Sequence, residues 1–147
     1  ETVKANWEKL KLKEGKKSVL EGVPKSLPAL VKASRIQDKV KAVGFDWENP
    51  EQVLDKVLEE LNELKTELSA NKKERIEAEF GDVLFSMINF ARNINVNPED
   101  ALERNNKIFI SRYQYLEQKA SETGKNLSDM TLAEMDKYWE ESKTKEQ

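Results

Sequence analysis

The sequence predicts an all-α protein of four or five helices packed as a bundle, and three observations lead there. Apolar residues recur at helical spacing along several long stretches, and none alternates apolar with polar residues as a half-buried strand would. Charged residues are 36% of the 147 and apolar ones 37%, a balance of narrow apolar stripes and broad wet faces. A buried parallel sheet would need continuous apolar strands instead. The 5 glycines and 4 prolines are sparse, and most fall between the periodic stretches.

Residues 1–25 read as an arm and linker preceding an all-α domain at 26–147. Trp7, Leu10 and Leu12 sit among lysines in a short helix or connecting arm that ends at Gly15, and Gly22 and Pro24 break any period after it. A helix is expected from Ser26, with Pro28 in its first turn and Gly44 as its stop. Asn49-Pro50-Glu51-Gln52 is a helix start: Asn caps, Pro takes the first helical position, and Gln52 can close a capping box. Val53, Leu54, Val57, Leu58, Leu61, Leu64 and Leu68 then form a stripe about four turns long. The chain turns at 69–73, and Ile76, Phe80, Val83, Leu84, Met87, Ile88 and Ala91 carry the next helix back antiparallel. Asn97-Pro98-Glu99-Asp100 opens another helix that runs to Gly124. Thr131 with Glu134 caps a last one holding Met135, Tyr138 and Trp139.

Two absences narrow the chemistry. Without Cys there is no disulfide, thiolate zinc site or thiol nucleophile. Without His there is no Ser-His-Asp triad, no HExxH zinc site and no ExxH di-iron ligand. Any metal must sit among oxygen ligands, which favours Mg²⁺, Mn²⁺ or Ca²⁺. A net charge of -3 gives no nucleic-acid footprint. No apolar run approaches the ~18 residues of a membrane span, and no signal-peptide core is visible, so the expected compartment is the cytoplasm. The chain opens at Glu1 rather than Met, as a piece of a longer protein would.

Glu59-Glu60-x-x-Glu63 and Glu79-x-x-Asp82 stand on consecutive helices expected to pack antiparallel. On a wheel of ~100° per residue, Glu60 lies about 20° outside the apolar arc of its helix, and Glu63 shares that flank. Glu79 falls beside Val83 at the rim of the second arc, with Asp82 next to it. If the stripes meet, four carboxylates converge at the seam. They would repel one another and lose hydration, and a divalent cation relieves both penalties. Gly81, inside the second cluster, costs roughly 1 kcal/mol against Ala in mid-helix, which a close approach of a neighbouring helix would explain. The plain alternative is a solvated, lysine-paired acidic face on an inactive helical interaction module.

EExxE followed by ExxD between Val53 and Asp82 resembles the MazG-type nucleoside triphosphate pyrophosphohydrolases. The similarity extends to GVPKSLPAL at 22–30, RIQDK at 35–39, VGFDW at 43–47, GDVLFSMINFARN at 81–93 and DMTLAEMDKYWEESK at 129–143. The chain is similar to the C-terminal half of that two-half family. The resemblance implies Mg²⁺, with Mn²⁺ as an alternative, held by Glu60, Glu63, Glu79 and Asp82. It implies hydrolysis of a nucleoside triphosphate to monophosphate and pyrophosphate by a homodimer. Lys56, Arg112, Trp139 and Lys143 match residues the family uses around the nucleotide, and Glu59 or Glu60 would activate water. Narrower-substrate relatives, acting on deoxynucleotides or phosphoribosyl-ATP, share the same acidic pattern. One departure is clear: the family commonly reads Asn-x-Lys-Phe before this arginine, whereas Asn106-Lys107-Ile108-Phe109 puts the lysine one place early. Each basic residue also has a plain reading: Lys56 paired with Glu60, Arg112 with a surface glutamate. Trp139 has the alternative of core packing and Trp47 that of a hydrophobic plug, and the RIQDK stretch could hold a base through Gln37 or Arg35 or only cap the bundle. Phe85 points away from the centre of its stripe, so a further helix, from the same chain or a partner, is expected to bury it.

Overall fold

Helix starts and stops set the frame of the molecule. The computed structural model describes residues 2–13, 18–46 and 49–146; the expectations for Gly15 and Trp47 lie outside them. All regular structure among the described residues is helical: α1 (Thr2–Lys13), α2 (Ala29–Ala42), α3 (Pro50–Ala70), α4 (Lys73–Asn93), α5 (Pro98–Glu122) and α6 (Leu132–Lys145), with a 3-10 turn at Leu127–Asp129.

Caps account for most of these boundaries. The Asn49 side chain accepts from the Gln52 backbone N–H at 3.0 Å, with Pro50 in the first position, so α3 begins where its signal lies. Thr131 accepts from the Glu134 backbone N–H at 3.2 Å and its hydroxyl donates to the Glu134 carboxylate, starting α6. Gly44 adopts φ +94°, and the Gly44 and Phe45 N–H groups return to the Lys41 and Val40 carbonyls, a Schellman stop for α2. Gly124, at φ +72°, ends α5 the same way.

Three expectations are corrected. α2 starts at Ala29 rather than Ser26, because residue 28 is proline: it disfavours helical backbone at Leu27 and itself stays extended. The α3–α4 connection is tighter than 69–73. Left-handed Asn71 and extended Lys72 make the whole turn, and α4 starts at Lys73. A Cβ built on Gly81 meets nothing within 4 Å among the described residues, so none of them makes the close approach expected there.

The chain divides into two compact units, Glu1–Glu99 and Asp100–Gln147. In the first, α3 and α4 form a long antiparallel hairpin, α2 packs on α4, and α1 packs on α2. Val53 and Val57 from α3 and Val83 and Ile88 from α4 are its buried apolar side chains. Beyond that narrow seam, Leu54, Leu58, Leu61 and Leu68 on α3 and Phe80, Leu84 and Met87 on α4 stay exposed, Leu58 by 56%. Phe85 remains 44% exposed as well. In the second unit, α5 and α6 meet through Phe109 and Trp139, with ring centroids 5.0 Å apart, and through Tyr115, whose hydroxyl donates to Glu141 at 2.7 Å.

α2 is fixed to α4 by a polar lock. Gln37, 4% exposed, donates from Nε2 to the Phe85 carbonyl at 2.9 Å. The Arg92 guanidinium pairs with Asp38 and donates to the amide oxygens of Gln37 at 3.4 Å and Asn89 at 3.5 Å. A buried amide must be satisfied this way, because leaving it unpaired costs about 1–3 kcal/mol.

The seam itself is the test of this packing. Val53 is the largest fully buried side chain, and Val53→Ala should cost about 2 kcal/mol through lost burial plus the cavity left behind. Urea unfolding followed by circular dichroism reads that loss as a lower midpoint with an unchanged slope.

Candidate metal centre

Glu60 and Asp82 lie equally far from Asn71 along the two arms of the hairpin, so the turn brings them level. Glu60, Glu79 and Asp82 each present a carboxylate oxygen within 4.8 Å of the others. Glu60 is buried, Glu79 half-buried and Asp82 exposed, which places the cluster at the rim of the apolar seam, open to solvent on one side. Glu63 is exposed and stands outside this closest group, yet its charge acts on Glu79.

The cluster is under electrostatic stress. Burial, followed by the charges of Glu63, Asp82 and Glu60, raises the Glu79 pKa above its ordinary 4.5. Glu60 Oε2 and Glu79 Oε2 are both buried and have no hydrogen-bond partner among the described residues. Buried carboxylate oxygens left without donors are costly. Their chemistry fits a hard divalent cation, which takes oxygen ligands and neutralises several carboxylates at once.

Lys56 supplies the nearest positive charge. Its Nζ lies 2.9 Å from Glu60 Oε1 and 3.6 Å from Glu59 Oε1. The hydrogen bond to Glu60 is the main cause that raises the Lys56 pKa. Glu59 is exposed and outside the cluster.

The remaining predicted residues form a group within the second unit. Arg112 makes a bidentate pair with Glu146, Nε and Nη2 each donating at 2.9 Å. Its guanidinium carbon lies 5.9 Å from the centroid of the Trp139 ring. Trp139 is half-buried against Phe109. Lys143 pairs with Glu140 at 3.0 Å. The plain ion-pair readings of Lys56 and Arg112 are therefore both present, alongside the carboxylate cluster.

Sequence reasoning gave no role to two features. Glu67 lies on the flank shared by Glu60 and Glu63, and its Oε2 is buried with no hydrogen-bond partner among the described residues. The Asp38–Arg92–Asn89 part of the polar lock left one readable signal, Asn89 and Arg92 interrupting the apolar run of α4.

Glu79 carries a pH signature. Its folded-state pKa is raised, so without divalent cations its contribution to stability is present below about 4.5 and lost as pH rises through the raised value. Glu79→Gln should flatten that part of the profile and raise the melting midpoint at pH 7 in a chelator. Added Mg²⁺ should stabilise wild type more than the variant. Thermal melts across pH 4.5–7.5, with and without Mg²⁺, check both.

Residues 48–116, which span α3, α4 and most of α5, match the MazG nucleotide pyrophosphohydrolase domain. The chain is 41% identical over 140 residues to the nucleoside triphosphate pyrophosphohydrolase/pyrophosphatase MazG of Thermotoga maritima, covering 93% of this chain and 54% of that protein. It is 35% identical over 150 residues to the nucleoside triphosphate pyrophosphohydrolase of Escherichia coli K12, covering 98% of this chain and 57% of the relative. It is also 45% identical over 148 residues to the uncharacterized protein YabN of Bacillus subtilis, covering 98% of this chain but 30% of the relative. The chain thus spans about half the length of the two named pyrophosphohydrolases. Sharing this domain and this similarity along nearly its whole length, the chain belongs to the MazG family.

Proposed function

We propose that the chain hydrolyses nucleoside triphosphates to nucleoside monophosphate and pyrophosphate at the α3–α4 carboxylate cluster, with Mg²⁺ as the preferred cation and Mn²⁺ as a substitute. The observation that carries this reading is the set of three carboxylates within 4.8 Å, two of which have a buried oxygen without a partner among the described residues. The activities named for the Thermotoga and Escherichia relatives support it. No helix among the described residues is long and apolar enough to cross a membrane. The proposed setting is cytoplasmic, with neither nucleic acid nor membrane as partner.

Glu60, Glu63, Glu79 and Asp82 would hold the cation. When bound, a divalent ion neutralises triphosphate charge and acidifies nearby water. Lys56 would exchange its contact with Glu60 for a phosphate oxygen. Within the second unit, Arg112 and Lys143 are proposed as nucleotide contacts that would first leave Glu146 and Glu140, and Trp139 steadies the Arg112 guanidinium through its ring. A carboxylate takes the proton from water as its oxygen attacks a phosphorus of the α–β bridge. The bond to the bridging oxygen breaks and pyrophosphate leaves. A glutamate committed to a cation is the weaker base, which favours Glu59 over Glu60 for that proton.

The working unit proposed is a homodimer built on residues 26–147, with 1–25 as an arm. The support is the apolar surface of Leu58, Leu61, Phe80, Leu84 and Met87, which the chain leaves exposed on its central hairpin. Sedimentation at micromolar concentration should find a dimer that Leu58→Glu dissociates. A single, fully active monomeric species contradicts it.

Pyrophosphate release from a panel of nucleoside and deoxynucleoside triphosphates and phosphoribosyl-ATP tests the activity and its breadth. Glu63→Ala and Asp82→Ala should each abolish release while leaving metal-free stability equal or higher, because like-charge repulsion is relieved. Retention of wild-type turnover by either variant removes that residue from the ligand set.

A further inference from the structure

Ser34, Asp38 and Lys41 share one face of α2, and that face borders a cavity of about 750 Å³ lined also by α1 and by the turn from α4 into α5. The volume is in the range of small-molecule sites. All of its lining lies within the first compact unit. Its charge is one-sided. Lys4 and Lys9 reach it from α1, Lys41 from α2 and Arg92 from the end of α4, whereas Asp38 is the one carboxylate among the described lining residues. Asp38 is shared: Arg92 pairs with it, and Lys4 Nζ lies 3.6 Å from its other oxygen. Lys41 lies 3.6 Å from Asp46, which stands outside the lining. Lys9 is exposed and has no ion pair among the described residues. Glu99, next along the chain from the lining residue Pro98, is exposed and outside the cavity wall. With Asp46 counted as well, four cations meet two carboxylates, and an excess of two positive charges remains. The chain as a whole carries a net charge of -3, so this concentration of positive charge is local.

We propose that this cavity is an anion site separate from the carboxylate centre, and that it takes oligophosphates, recognised by their charge rather than by a base. Like charges gathered in one concave surface repel one another and draw in a counter-ion, and a polyanion relieves several of them at once. A guanidinium with several ammonium groups is the donor set that phosphate oxygens match. The Ser34 hydroxyl and the Asn6 and Asn95 side chains add neutral polar groups able to donate. No aromatic side chain is among the described lining residues, so nothing there stacks on a base. The cations come from three helices, so a chain of two or three phosphates meets more of them than a single phosphate does. Arg92 stands ten residues beyond Asp82 on α4, about 15 Å along the helix axis. The site is therefore distinct from the candidate metal centre, and the inference does not rest on the hydrolase reading. A polyanion bound there would also tie α1 to α2 and to the end of α4, beyond the Lys4–Asp38 pair.

Calorimetry on the full chain in a chelator is the test, because carboxylates without a cation repel phosphate and leave the cation-lined cavity to be read alone. Tripolyphosphate, pyrophosphate, orthophosphate and ATP are the probes. Tripolyphosphate should bind roughly tenfold or more tightly than orthophosphate, the increment of one added charge-assisted hydrogen bond. ATP should match tripolyphosphate, since its base finds no wall to stack on. Lys9→Ala combined with Lys41→Ala should weaken tripolyphosphate binding by roughly tenfold or more. Both lysines are exposed, so the circular dichroism spectrum should stay as in wild type. Lys72→Ala combined with Lys73→Ala, at the hairpin turn, should leave the affinity unchanged. Tripolyphosphate should raise the melting midpoint of wild type and not that of the Lys9 and Lys41 double variant. Absence of binding in the chelator, or an affinity that the Lys9 and Lys41 substitutions leave unchanged, overturns the proposal. Equal losses in the two double variants mean diffuse attraction to surface lysines and overturn it as well. ATP bound far more tightly than tripolyphosphate overturns recognition by phosphate charge alone. Pyrophosphate release at the carboxylate centre is measured separately with Mg²⁺, so failure here leaves the hydrolase reading standing.

Discussion

The molecule is organised around mutual repulsion between carboxylates at the rim of a hydrophobic seam. Glu60, Glu79 and Asp82 are brought within 4.8 Å of one another because the hairpin turn at Asn71 sets the register of two long helices. The seam that holds them is narrow, with Val53, Val57 and Val83 at its centre. Apolar burial there works against electrostatic repulsion a few ångströms away. One consequence is the raised pKa of Glu79, and another is the buried oxygens of Glu60 and Glu79 that no donor among the described residues reaches. Lys56 offsets part of the negative charge through a single contact with Glu60, which leaves the rest for a cation to neutralise.

The α3–α4 hairpin is longer than the core the chain can build around it. Its outer apolar positions, Leu58 and Leu61 on one arm and Phe80, Leu84 and Met87 on the other, remain in water. Exposed surface of this extent on one hairpin is what the proposed dimer would cover. A partner on that face and a cation at its rim would each relieve a different cost, apolar exposure in one case and charge repulsion in the other. Both follow from the same placement of stripes on the two helices.

Much of this was legible in the residue pattern, for identifiable reasons. Asn49, Gly44, Thr131 and Gly124 act through local backbone geometry, so the ends they mark were readable from the chain alone. The approach of Glu60 to Glu79 and Asp82 was readable because a short turn forces antiparallel packing and the helical period fixes which side chains border the stripe. The Arg92–Asp38–Gln37 lock was not, since it joins α2 to α4 across more than fifty residues and no local rule pairs them. Gly81 misled for a related reason: a mid-helix glycine invites a close contact, but nothing in the pattern says whether a neighbour makes it. Lys56 and Arg112 each carry an ion pair that the sequence allowed as an alternative to nucleotide contact, and their periodicity fits both.

The central claim is that converging carboxylates on α3 and α4 form a divalent-cation site, and direct observation of the ion tests it most sharply. Titration of Mn²⁺ into the metal-free protein, followed by electron paramagnetic resonance, should show loss of the free-ion signal at a site that Mg²⁺ displaces and Asp82→Asn weakens. A free Mn²⁺ signal identical with and without the protein, in the presence of a triphosphate it cannot hydrolyse, would contradict the account.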